Sequence, residues 1–201
     1  MNAEIDVTNI TIETNRLILR PWSINDLDDL FDYASVPGVG EMAGWPHHEN
    51  KEKSLEILNR FINEKKTLAI VYKENNRVIG SLGIELYGSV DKLTEFTNYK
   101  GREIGYVLAK DYWNQGLMPE AVKAIIDYLF NILDYDFLLC GYYDKNTRSK
   151  RVQEKCGFTP YRKLVFSNNL TDAEPGVLML LSNPRKNIKY QFSHPETLLI
   201  K

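Results

Sequence analysis

The sequence predicts an α/β fold of the mixed α+β kind: a central mixed, mostly antiparallel sheet with one parallel βαβ unit and helices on both faces. Three observations carry this reading. Strand-like runs come early, at residues 12–20, 67–73 and 77–87. One strand–helix–strand unit spans 102–143, long enough for a parallel pair joined by a right-handed crossover. Two more strand-like runs follow, at 158–166 and 175–182.

The first run, IETNRLILR, alternates, with Ile12, Leu17 and Leu19 as core positions and Pro21 as its end. Ser23 reads as an N-cap with Asp26 three residues on, and Ile24, Leu27, Leu30, Phe31 and Ala34 follow at helical spacing. PGVGEMAGWPHH (37–48) is a loop by its Gly and Pro content. Lys51 to Glu64 reads as a helix striped by Leu55, Leu58 and Ile62. The runs at 67–73 and 77–87 flank Glu74-Asn75-Asn76, a hairpin turn. In the βαβ unit, Val122, Ile125, Ile126, Leu129, Phe130 and Leu133 form one apolar helix face. A short helix, Asn146 to Lys155, stops at Gly157.

Bulk properties bound the function. The 201 residues suit one domain, taken as 1–182, with a C-terminal extension at 183–201. Hydrophobic residues make up 43%, enough for a sizeable core. The formal charge of −2 argues against general affinity for nucleic acid or anionic membrane. MNAEIDVTNI lacks the charge and apolar core of a signal peptide, and no apolar run approaches a membrane span. Cys140 and Cys156 do not make a disulfide framework. A soluble cytoplasmic protein is the expectation.

Between the strand-like GYVLA (105–109) and the long helix lies a polar elbow, YWNQGLMPEA (112–121). A helix start offers unpaired amides and the positive end of a dipole, so it can hold an anion. Gly116 permits a tight turn, and Pro119 fits the first helical turn. A well-capped helix with no ligand satisfies the same residues, and Glu120 would stabilise the helix start either way. No Gly-Lys-Ser/Thr follows, which disfavours a nucleoside triphosphatase.

REIGYVLAKDYWNQGLMPEAVKAIIDYLF and DKNTRSKRVQEKCGF together resemble the acetyl-CoA-binding core of the GNAT acetyltransferases. ETNRLILRPW is similar to the opening strand of the RimJ/RimL branch, whose named members acetylate N-termini of ribosomal proteins. The likeness runs from about Ile12 to Ser182, and its specificity lies in EIGY, W-x-x-G, E-A, N-x-x-S and E-K-x-G-F occurring jointly and in order.

The resemblance implies a GNAT-type fold and acetyl transfer from acetyl-CoA to an amine. It implies that the backbone of Tyr106, Val107, Leu108 and Ala109 pairs with the pantetheine arm. The amides of Gln115, Gly116, Leu117 and Met118 would cradle the pyrophosphate, and Asn146 and Ser149 would contact the pantetheine end near the thioester. Met118 stands where the family usually has a small residue, so its side chain must point away. Pro119 removes one donor.

Glu103 is the base expected beside the thioester, with Glu85 the weaker alternative; an ordinary strand glutamate is the other reading of Glu103. Ser149 is the acid or oxyanion candidate by resemblance, and helix capping near Asn146 is its structural alternative. Many GNAT enzymes carry a tyrosine acid where Gln153 stands, which leaves Tyr142 and Tyr143 as further options. Trp45, Pro46 and His47 match the acceptor region, or else pack the loop against the first helices. Lys145, Arg148, Lys150 and Arg151 could meet the coenzyme's 3′-phosphate or form a solvated helix face.

An α-amino group of pKa about 8 is roughly a tenth neutral at pH 7, and a lysine well below a thousandth. A protein N-terminus therefore needs less help from a base, and direct attack needs no covalent intermediate. A polyamine or antibiotic amine is the alternative acceptor, and a non-catalytic acyl-CoA-binding module the alternative role. No metal is expected: His47 and His48 lack ligand spacing. Gly38 to Ala43 mimics a dinucleotide fingerprint but follows a helix. The missing Gly-x-Ser-x-Gly disfavours a hydrolase. The tail after Asn183 suits a covered sheet edge or a homodimer contact.

Overall fold

A computed structural model describes residues 1–88, 93–167, 170–171 and 173–188, and the backbone of 198–199. The polar connection after Tyr87 and most of the tail beyond 188 lie partly outside the described residues. The chain forms two compact units: Met1–Glu4, Glu85–Ile104 and Ile125–Lys201 in the first, Ile5–Ile84 and Gly105–Ala124 in the second.

In the second unit, β1 (Ile12–Glu13), β2 (Leu17–Pro21), β3 (Thr67–Tyr72) and β4 (Arg77–Glu85) pair successively in antiparallel fashion. The run 12–20 is thus two strands, not one. The chain reverses at Thr14, whose amide donates to the Leu17 carbonyl while its hydroxyl accepts from the Leu17 amide at 2.9 Å. Leu17 and Leu19 are fully buried, and Ile12 is half-buried. The hairpin turn falls where expected: Asn76 adopts φ 56° and its amide donates to the Tyr72 carbonyl.

Ser23 makes the anticipated capping box with Asp26, but the first turn is 3-10, and α1 runs Leu27–Ala34. Ile24 therefore falls off the apolar stripe and is exposed. α2 is Lys51–Glu64, with Leu58 fully buried. Leu55 lies at the exposed margin, and the buried face is drawn instead by Ser54 and Leu58. Trp22, Leu30, Tyr33, Leu58 and Val71 belong to the core that these elements share.

In the first unit, β5 (Gly101–Leu108) begins beside β6 (Phe137–Tyr143). They pair in parallel through Gly101↔Phe137, Arg102↔Leu138 and Glu103↔Leu139. β6 continues antiparallel to β8 (Glu174–Ser182), and β8 pairs with β7 (Thr159–Phe166). Leu198–Leu199 form β9, parallel to β7. α3 (Leu117–Asn131) links β5 to β6, and α4 (Thr147–Lys155) follows β6. The α3 stripe is buried at Val122, Ile125, Leu129 and Phe130, while Leu133 lies past the helix end and is half-buried. The unit's core includes stacked Phe96 and Phe137, 4.3 Å between centroids. The sheet is mixed and mostly antiparallel, as the sequence predicts. No described helix is long and apolar enough to cross a membrane.

Candidate active site

The candidate residues form two constellations, each within one unit. The first is the elbow, in the second unit. β5 ends at Leu108, whose carbonyl accepts from the Trp113 indole at 2.7 Å. The backbone then takes left-handed values at Asn114 (φ 62°) and Gly116 (φ 76°), and α3 starts at Leu117. The first amides of a helix have no intrahelical acceptor. The first intrahelical bond beyond them runs from the Glu120 amide to the Gly116 carbonyl at 3.2 Å.

Asn114, Gln115 and Gly116 are exposed, whereas Leu117 and Met118 turn their side chains inward, Met118 being 5% exposed. A buried Met118 side chain leaves its amide at the helix start. A Cβ on Gly116 would meet only Arg16 Nη2, at 3.6 Å. The space over the glycine is open, so this turn fits an anionic group held by backbone amides.

Glu120 ties the elbow to β2 and the turn before it. Its Oε1 accepts from Thr14 Oγ1 at 2.6 Å and the Arg16 amide at 2.8 Å; its Oε2 accepts from Arg16 Nε at 2.8 Å. Arg16 Nη1 also donates to the Gln115 carbonyl at 3.0 Å. Burial alone would raise the Glu120 pKa, but the bonds from Thr14 and Arg16 hold it below its usual value.

The second constellation lies in the first unit, where the parallel pairing of β5 and β6 ends. Glu103 is half-buried. Burial first, then the Glu85 carboxylate, push its pKa up to about 7, against a hydrogen bond from the Gly141 amide. A carboxyl poised there can take up a proton near neutral pH. Asn146 caps α4, its Oδ1 accepting from the Ser149 amide at 3.1 Å. Ser149 Oγ accepts from Gln153 Nε2 at 3.0 Å, and Gln153 is fully buried. Tyr142 is nearly buried, which pushes its phenol up, while Tyr143 packs on Phe166.

Residues 16–159 match the acetyltransferase (GNAT) domain family. The chain is a GNAT acetyltransferase. Enzymes of this family transfer acetyl groups from acetyl-CoA to amines. A relative from Bacillus licheniformis, named uncharacterized N-acetyltransferase p20, is 28% identical over 155 residues, covering 74% of this chain and 82% of its own. The ribosomal-protein-S5-alanine acetyltransferase of Vibrio fischeri superposes with a TM-score of 0.65 at 18% identity, covering 88% of this chain and 98% of its own. The microcin C7 self-immunity acetyltransferase MccE, solved with acetyl-CoA and AMP, gives 0.70 at 17% identity, with 84% and 93% covered. At these identities the two structures speak for the fold.

The remaining candidates of this GNAT enzyme divide. In the second unit, His47 Nδ1 lies 2.8 Å from Glu41 Oε1, and Trp45 packs on His48. Burial works to raise the Glu41 pKa, but bonds from His47 and the Gly38 amide bring it down to about 2. His48 instead meets Ser54 Oγ at 2.7 Å and is buried. In the first unit, Lys145 pairs with Glu174 and Lys150 with Glu154. Cys140 is buried, Cys156 half-buried, and no disulfide joins them. Among the described residues, no group of His, Cys, Asp and Glu is assembled to hold a metal.

Sequence reasoning missed Arg16 and Thr14 as the tether of the elbow, and Gln153 as a partner of Ser149. Arg16 lies 104 residues before Glu120, so no local spacing announces the pair. Gln153 had a signal: a polar residue inside a helix whose neighbours are charged and whose own place faces β6.

Proposed function

We propose that this enzyme is a cytoplasmic RimJ/RimL-like N-acetyltransferase whose first substrate class is the α-amine of a protein N-terminus. The observation that carries the reading is Glu103: a half-buried carboxyl with a pKa near 7 suits an acceptor amine of pKa about 8. Likeness in fold to a ribosomal-protein acetyltransferase supports the acceptor class.

The elbow amides of Gln115, Gly116, Leu117 and Met118 hold the pyrophosphate, and the backbone of Tyr106 to Ala109 pairs with the pantetheine arm. The bound coenzyme supplies the activated thioester. Glu103, directly or through one water, removes the proton that the amine sheds as its nitrogen bonds the carbonyl carbon. Ser149 donates toward the sulfur as the C–S bond breaks, and Asn146 holds the start of α4 that carries it. Trp45, Pro46 and His47 are assigned to contact the acceptor, and Glu85 is the carboxylate assigned to attract its ammonium form.

The test is mass spectrometry on a panel of N-terminal peptides, polyamines and aminated antibiotics with acetyl-CoA. Acetyl gain on the α-amines of peptides is the expected result. Gain only on small molecules moves the enzyme to the second acceptor class, which its likeness to MccE favours. Cofactor binding with no acetyl gain on any amine removes the catalytic reading.

A further inference from the structure

We infer that Gln153 is a positioning residue that joins the two proton-handling side chains through the Gly141 segment of β6. In an antiparallel pair, a residue exchanges both backbone bonds with its opposite partner or neither. Gly141 stands opposite Leu178 of β8. Its N–H goes to the Glu103 carboxylate, and its C=O accepts from Gln153 Nε2 at 3.0 Å. The two backbone groups of one glycine are thus held by side chains from β5 and α4. A Cβ on Gly141 would lie 3.0 Å from the Phe166 ring, which would have to give by a few tenths of an ångström, and in ordinary contact with Glu103 Oε1 at 3.5 Å.

Gln153 Nε2 has two hydrogens, and both are used: one on the Gly141 carbonyl, one on Ser149 Oγ at 3.0 Å. Exchanging the amide oxygen and nitrogen would set Oε1 against a carbonyl that cannot donate, so the orientation is fixed. Ser149 Oγ is consequently an acceptor toward Gln153, and its own hydrogen must point elsewhere. A hydroxyl that donates to a departing thiolate needs at least this, that its hydrogen is not spent on Gln153. Gln153 is fully buried, and its Oε1 has no hydrogen-bond partner in the protein. Such a buried orphan acceptor costs stability, and is understandable where the amide is retained for what its nitrogen does. Gln153 thus acts through Ser149 where a side chain of its own reaches no substrate.

The inference rests on Ser149 as the proton donor of the proposed reaction, and a double-mutant cycle separates the two claims. Steady-state kinetics are measured on the full chain, with acetyl-CoA and the best acceptor of the amine panel, for Ser149→Ala, Gln153→Leu and the double variant. Gln153→Met is run beside them because it keeps the side-chain length, and thermal midpoints verify folding. Gln153→Leu and Gln153→Met are expected to lower kcat about tenfold or more, with KM for acetyl-CoA changed by less than about twofold. The double variant should be no slower than Ser149→Ala alone. Gln153→Glu should be slow relative to the parent at high pH, and its rate as a fraction of the parent's at the same pH should recover as acid protonates the new carboxyl and restores one donor. Unchanged kcat in both Gln153→Leu and Gln153→Met, beside a slow Ser149→Ala, overturns the role of Gln153 and leaves that of Ser149. Fully additive losses in the double variant overturn the coupling. Parent-like kcat in Ser149→Ala removes the donor itself, and this inference with it.

Discussion

The elbow and the Glu103 constellation handle polar chemistry in opposite ways. At the elbow the groups that the proposed reading uses are backbone amides, exposed around Gly116, and the side chains of Arg16 and Glu120 hold the turn in shape. Around Glu103 the groups that the proposed reading uses are side chains, half-buried or buried, and the backbone of Gly141 bonds to Glu103 and Gln153. The contrast follows from the tasks. An anion is held by N–H groups that every residue except proline owns, so geometry suffices. A proton acceptor near pH 7 needs a displaced pKa, and burial beside another carboxylate supplies it.

The largest break in this comparison should come from Glu103→Gln. We expect kcat to fall about 10²- to 10⁴-fold, while the thermal shift caused by acetyl-CoA is unchanged. At saturating acceptor, the parent's kcat should decline as pH falls below about 7, and the variant's kcat should lack that limb, whereas kcat/KM of both keeps the ionisation of the amine. Stability carries the same signature. The folded pKa of about 7 lies above the ordinary 4.5, so the contribution of Glu103 is complete below about 4.5 and is lost as pH rises through about 7. Urea titrations between pH 4 and 8 should find this loss in the parent and not in Glu103→Gln.

Next in size is Glu120→Ala, which strands Arg16 and Thr14. We expect about 1–3 kcal/mol of lost stability by urea titration. The elbow should loosen as well, shrinking the stabilisation by acetyl-CoA, which is about 2.7 kcal/mol in the parent at one hundred times Kd. Turnover at saturating acetyl-CoA should survive. A fall in kcat as large as that of Glu103→Gln would erase the division of labour between the two regions.

Gly116→Ala puts a side chain at φ 76°, at a cost of about 1–2 kcal/mol. It should raise KM for acetyl-CoA with little change in kcat, read from initial rates. The smallest effect is expected of Ser23→Ala, which removes the cap before α1 for about 1 kcal/mol. Its thermal midpoint should drop while both kinetic constants stay at parent values, making it the control for stability lost away from either region.

Much of the fold was readable because its causes are local. The α2 boundaries and the Glu74–Asn76 turn follow from caps, periodicity and turn-forming residues within a few positions. The errors have a common origin. Thr14 breaks the first run into a hairpin through bonds to Leu17, and the spacing carries the mark of it: Ile12 and Leu17 are an odd number of residues apart, so on one strand they would face opposite sides, whereas the reversal sets Ile12 opposite Leu19. Ile24 and Leu55 fit the apolar spacing of their helices, yet a 3-10 first turn and the width of the packed α2 face leave them outside.

By itself, the sequence determined the order of elements, the elbow between β5 and α3, and the presence of Glu103, Asn146 and Ser149 at defined places along it. Those depend on neighbours within one turn of helix or one strand. Only the tertiary structure decided that Arg16 clamps Glu120, that Gln153 is buried with its amide on Gly141 and Ser149, and that Glu103 carries a pKa near 7. The physical reason is that partners and dielectric surroundings come from residues distant in the chain, and a charged or polar side chain takes its chemistry from them.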